Sequence, residues 1–220
     1  MMKAINQKQY AAPDVDLQEV LRYAACREMA EDVLALAQEC VALAQNALRY
    51  QVCWREMSVR VEGDTVELGS ARFISQQLAR RLQGCRRAVV FAATVGLELD
   101  RLIARYGRLS PAKGLMLQAL GSERIEALCD AFCEDLTQVY GRTKPRFSPG
   151  YGDLPLTAQR ELFRMLECEK RIGVYLNESL LMSPSKSVTA IVGLGGEDEN
   201  CGRSTCRQCG KADCAFRREV

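Results

Sequence analysis

The chain has 220 residues, enough to bury a sizeable core without disulfide staples, and its 30 Lys+Arg against 28 Asp+Glu leave a formal charge of only +2. That balance leaves no basic surplus for nucleic acid, and the 48% apolar content is spread out rather than gathered into a run of ~20 residues that could span a membrane. The histidine count is 0, which removes Ser-His-Asp triads, Cys-His pairs, His-based zinc hydrolases and any imidazole ligand to cobalt or haem iron.

The opening Met1 to Asp14 lacks the apolar centre of a secretory signal, so a cytoplasmic protein is expected. Leu17, Val20, Leu21 and Ala24 recur at helical spacing after the potential cap Asp16. Met29, Val33, Leu36, Val41 and Leu48 continue the period, so the first fifty residues predict two helices. Between Val52 and Leu68 the period changes to two, with Val59, Val61, Val66 and Leu68 alternating with polar residues around Glu62-Gly63-Asp64, a hairpin signal. A helix is expected from Phe73 to Leu82, a buried strand over Arg87 to Val95, and a short helix from Leu97 to Tyr106. Ser110-Pro111 starts a further helix reaching Tyr140, with Gly121 as a potential break. Cys129 and Cys133 share one face of it, a spacing that suits small core residues better than ligands. The segment from Thr143 to Thr157 is rich in Pro and Gly and predicts a loop of fixed path with exposed backbone groups. A helix capped by Thr157 and strands around Val174–Leu176 and Ser187–Val192 complete the pattern, which lacks a βαβ rhythm and reads as α+β.

Within that loop, Arg146 to Tyr151 reads RFSPGY. It resembles the RPxPGYP element of the activation domain of cobalamin-dependent methionine synthase. Downstream, Glu169-Lys170, Gly173, Leu176 to Ser179, Met182 to Pro184 and Ser187-Val188 resemble the family's EKxTGxxLTESxxMxPxxSVSG stretch in the same order. The resemblance implies a mostly antiparallel twisted sheet flanked by helices. It divides the chain into an N-terminal helical and hairpin part (1–86), an activation-domain-like core (87–196) and a Cys-rich tail (197–220).

The family binds S-adenosylmethionine, and the resemblance places that ligand on Arg146, Pro149, Gly150 and Tyr151, with Glu178 and Ser179 in the second matching block. A guanidinium pairs with a carboxylate in a planar, bidentate way, and Pro149-Gly150 lets backbone approach the ligand. Glu178 could orient Arg146, take an ammonium or simply face solvent. The acidic, aromatic-rich N-terminal motif of the full synthases is not found in the first fifty residues. The implied role is a stand-alone module supporting reductive methylation of cob(II)alamin, an accessory to methyltransferase activity with no catalytic acid or base of its own. Cobalamin would come from a partner, the cobalamin-binding domain of methionine synthase or a related corrinoid protein, and the electron from a donor protein.

Eleven cysteines in a chain without a secretory signal point to reduced thiols. Four of them, Cys201, Cys206, Cys209 and Cys214, are spaced C-x4-C-x2-C-x4-C, a metal-site signature suited to zinc or an iron–sulfur cluster. An alternative reading makes the tail the active part, in a metal-binding or iron–sulfur redox and interaction protein, or makes the chain an activator of another corrinoid methyltransferase.

Overall fold

The computed structural model describes residues 3–26 and 30–195. In chain order it contains β1 (Asn6–Gln9), α1 (Leu17–Tyr23), α2 (Glu31–Ala44), β2 (Gln51–Glu62), β3 (Thr65–Leu68), β4 (Ala71–Ile74), α3 (Gln76–Leu82) and β5 (Arg87–Thr94). There follow α4 (Leu97–Leu109), α5 (Pro111–Tyr140), a 3-10 turn (Leu156–Ala158), α6 (Gln159–Leu166), α7 (Cys168–Ile172), β6 (Tyr175–Leu176), β7 (Met182–Ser183) and β8 (Ser187–Leu194). The main sheet runs β4-β3-β2-β5-β8, with β1 added to the start of β2 opposite β5, and every pairing is antiparallel. The fold is therefore α+β, an antiparallel sheet flanked by helices, as the sequence predicts.

The apolar run of β5 is explained by burial on both faces. Val89, Phe91 and Ala93 enter a core made with α1, α2, α4 and α5, while Ala88, Val90 and Ala92 enter a second core made with α3, α6 and α7. A strand covered on both sides has no polar positions to alternate with. Phe91 packs against Phe132 of α5 with ring centroids 4.8 Å apart and the rings tilted by 51°, which ties the longest helix to the centre of the sheet.

Three local expectations change. The segment predicted as one helix from Phe73 splits, because Phe73 sits in β4 and Ser75 caps α3 by accepting from the Leu78 N–H at 3.0 Å. Gly121 does not break α5; a side chain there would meet Leu99 Cδ2 at 2.7 Å and Lys186 Cγ at 2.9 Å, so glycine serves a close approach inside a continuous helix. Thr157 lies in the 3-10 turn rather than capping α6, whose first residue is Gln159. The short strand β1, all polar and exposed, was hidden from periodicity altogether; it is held by its ladder to Gln51–Trp54 and by Lys8 and Tyr10, which both donate to Asp135 of α5.

Candidate functional site

The segment after α5 is laid along β8 as an extra, irregular edge. Lys144 N–H donates to Gly193 O at 2.8 Å, and Phe147 and Ile191 exchange both backbone bonds at 2.9 Å. In such a ladder successive side chains point to opposite faces. Phe147 accordingly enters the second core, and Arg146 turns the other way, toward α5.

There the guanidinium donates through Nη2 to Glu126 Oε2 and through Nη1 to Asp130 Oδ1, both at 2.5 Å. Glu126 and Asp130 are one turn apart on α5 and so share a face. The Arg146 side chain is 23% exposed, and Glu126 and Asp130 are 34% and 54% exposed, so the cluster opens to solvent. Burial works against the Arg146 charge, but the surrounding Cys129, Glu126 and Asp130 more than offset it and raise its pKa. Cys129 and Cys133 lie beside the guanidinium. Burial pushes both thiols up despite the pull of Arg146, so both stay protonated at neutral pH.

The loop beyond Arg146 is pinned at its far end. Gly150 N–H donates to Leu154 O at 2.9 Å and Tyr151 N–H to Ser148 O at 3.2 Å, forming a tight turn. Gly150 has φ of 87°, a region glycine adopts freely. Asp153 then receives the Ser75 hydroxyl at 2.5 Å and the Gln76 N–H at 2.7 Å, capping α3; the Ser75 hydroxyl, with help from those backbone N–H groups, holds its carboxyl below the usual range. Pro149 is buried under this turn, and Tyr151 stands 68% exposed at its tip.

Of the residues singled out in the sequence, Arg146, Pro149, Gly150 and Tyr151 lie on one short loop. Glu178 and Ser179 lie elsewhere, at the exposed tip of the β6–β7 hairpin, where the Glu178 carbonyl accepts from Arg160 Nη2 at 3.1 Å. The carboxylates on Arg146 are Glu126 and Asp130, which sequence reading passed over. Their i, i+4 spacing, interleaved with Cys129 and Cys133, was the available signal. Cys201, Cys206, Cys209 and Cys214 lie outside the described residues. Among the described residues no cluster of three or more Cys, Asp or Glu side chains could hold a metal, and no helix is long and apolar enough to cross a membrane.

Comparison with known proteins agrees with this architecture. The chain superposes on the crystal structure of a MetH reactivation domain bound to AdoHcy with a TM-score of 0.69 at 17% identity, covering 89% of this chain and 80% of that one. At that identity the match establishes a common fold. Residues 13–200 match the family model described as vitamin B12 dependent methionine synthase, activation domain. The match spans both cores, the Arg146 loop and the β6–β7 hairpin, and the chain belongs to the activation-domain family of vitamin B12 dependent methionine synthase.

Proposed function

We propose that this chain binds S-adenosylmethionine between α5 and the Arg146–Tyr151 loop and presents it to a separate corrinoid-carrying protein, most simply a methionine synthase cobalamin domain. The observation that carries the reading is the trio of Arg146, Glu126 and Asp130, one cation set between two solvent-accessible carboxylates. Its donor set fits the ligand. The guanidinium retains donor directions for a carboxylate, and the two carboxylates suit an ammonium or sulfonium centre. Family membership and the AdoHcy complex of the fold relative support the same assignment.

When bound, S-adenosylmethionine supplies a methyl group, and this chain's residues orient it. Arg146 fixes the amino-acid end, and the backbone of Pro149 and Gly150 lies alongside. In this reading the exposed Tyr151 ring covers the ligand, with Glu178 and Ser179 of the hairpin tip as further contacts. No side chain here serves as acid, base or cobalt ligand in this reading, so the partner brings the corrinoid and a donor protein the electron. The contribution is positioning, an accessory part of a methyltransferase system.

Calorimetric titration of S-adenosylmethionine into the full chain tests this. Saturable binding is expected, weakened about tenfold to a hundredfold in Arg146→Ala, the range for losing charge-assisted hydrogen bonds. Unchanged affinity in a folded Arg146→Ala protein would overturn the site.

A further inference from the structure

The face of α5 that carries Glu126 continues one turn toward the helix start to Ser122, so Ser122, Glu126 and Asp130 form one stripe. Ser122 and Glu126 are half-buried and Asp130 is exposed, which leaves the stripe open to solvent. The strand beside it, β8, is paired with β5 along one edge. On its other edge it has, among the described residues, only the bridges at Leu194 and Ile191. Val188, Ala190, Val192 and Leu194 face α5, and by the two-residue period of a strand Lys186, just before β8, falls on the same side. The open half of β8 and the Ser122–Asp130 stripe thus border one another, with Arg146 at one end and Lys186 at the other.

Lys186 is built into that position. Its Nζ donates to Ser122 Oγ at 2.9 Å, and the Ser122 hydroxyl in turn donates to Gln118 O at 3.1 Å. Its stem crosses α5 at Gly121, where a side-chain carbon would meet Lys186 Cγ at 2.9 Å and Cε at 3.0 Å. Glycine is unfavourable inside a helix, and here it makes the room that the lysine occupies. The charge is met by a hydroxyl and not by a carboxylate, because Asp100 has its two oxygens taken by the Ser185 N–H at 2.8 Å and the Ser185 hydroxyl at 2.5 Å. Burial accordingly pulls the Lys186 pKa down, with Asp100 offsetting it in part. An ammonium has three donors, and one is used.

We propose that Lys186 is a second anchor of the ligand cleft, donating to the ribose hydroxyl oxygens of S-adenosylmethionine while Arg146 holds the amino-acid carboxylate. The inference rests on the ligand reading above and adds which end of the molecule lies where. Ser122 is one turn from Glu126 and two from Asp130, about 6–12 Å along the helix axis, a stretch that the carbon–sulfur chain between the ligand's carboxylate and its ribose can bridge. In this orientation the ammonium and sulfonium centres lie nearer the two carboxylates, and the neutral ribose meets the lysine. The reverse orientation would set Glu126 and Asp130 against the uncharged end and bring the lysine toward like charge.

The test is calorimetry of the full chain with S-adenosylmethionine and with its analogue lacking both ribose hydroxyls, in wild type, Lys186→Met and Arg146→Ala. Wild type is expected to bind the analogue about tenfold more weakly than S-adenosylmethionine. Lys186→Met is expected to bind S-adenosylmethionine about tenfold more weakly than wild type, with no further loss for the analogue, whereas Arg146→Ala keeps the wild-type ratio between the two ligands. Should Lys186→Met fail to fold by thermal unfolding, Lys186→Gln, whose shorter side chain withdraws the donor, is measured in its place. Unchanged S-adenosylmethionine affinity in the folded Lys186 variant, or a full loss on removing the hydroxyls that persists in it, overturns the proposal and leaves the Arg146 site standing. No saturable binding of either ligand to wild type overturns the ligand reading itself, and this inference with it.

Discussion

Two arginine–carboxylate clusters sit on the same helix, α5, and they do opposite things. Arg124 is 1% exposed and Glu123 is 6% exposed; they pair with each other, and the remaining Arg124 donors reach Pro13 O and Asp14 O at 2.6 Å. Glu123 also accepts from Asp16 N–H at 3.3 Å, so this pair clamps the N-terminal arm onto the helix. Arg146 has the same chemistry but is met by carboxylates that remain open to water. Charge and residue type are alike in the two clusters. What separates the clamp from the open cluster is whether backbone carbonyls and burial have used up the donors.

The sharpest way to break the comparison is Arg124→Met. It strands Glu123 without its cation, and a loss of about 3–5 kcal/mol in unfolding free energy is expected by denaturant titration. Arg146→Met should do the reverse, changing stability by about 1 kcal/mol or less because its partners are solvated, while S-adenosylmethionine affinity falls about tenfold or more. Equal stability losses for the two would erase the distinction. If the proposed ligand site is right, neutralising one carboxylate on Arg146, Glu126→Gln or Asp130→Asn, weakens S-adenosylmethionine binding about fivefold in calorimetry, on the order of 1 kcal/mol.

A smaller, pH-dependent effect comes from Glu56, which accepts from Lys3 Nζ at 2.6 Å and from Arg87 and the Tyr140 hydroxyl at 3.1 Å. Burial raises its pKa, but these three donors together outweigh it and the net shift is downward. A depressed carboxylate stabilises the fold above its ordinary range and loses that contribution as pH falls through its folded value. The melting-temperature gap between wild type and Glu56→Gln should therefore be full at neutral pH and shrink on acidification below the ordinary carboxylate range. A gap that does not change with pH would mean Glu56 acts through packing alone.

Elements that bury a regular stripe were legible from sequence. The β2–β3 hairpin announced itself by alternation, β5 by its unbroken apolar run, and α5 by its period and Pro111. Those fixed by partners far along the chain were not. Asn6–Gln9 has no apolar face, and its strand exists only because β2 offers an open edge. Ala71–Ile74 followed by Ser75 resembles a helix entry until β3 pairs with it. In the site, the motif loop could be found by resemblance, but its carboxylate partners lie 16 and 20 residues upstream. Their meeting depends on the register of an irregular edge along β8, which no local pattern encodes.

That edge holds one residue more than the strand it lies on, because Thr143 faces Leu194 and Phe147 faces Ile191, a span of four residues against three. Arg146 and Phe147 are neighbours assigned to opposite sides of one ladder, the first to the charged cluster on α5 and the second to the apolar core beneath. The two destinations are therefore set at the Phe147–Ile191 pair, where both backbone bonds are made, and the surplus residue just before it leaves the chain room to absorb a one-residue change upstream without exchanging guanidinium and phenyl ring. Changes within the turn at Pro149–Gly152, which lies beyond that pair, leave the assignment untouched as well.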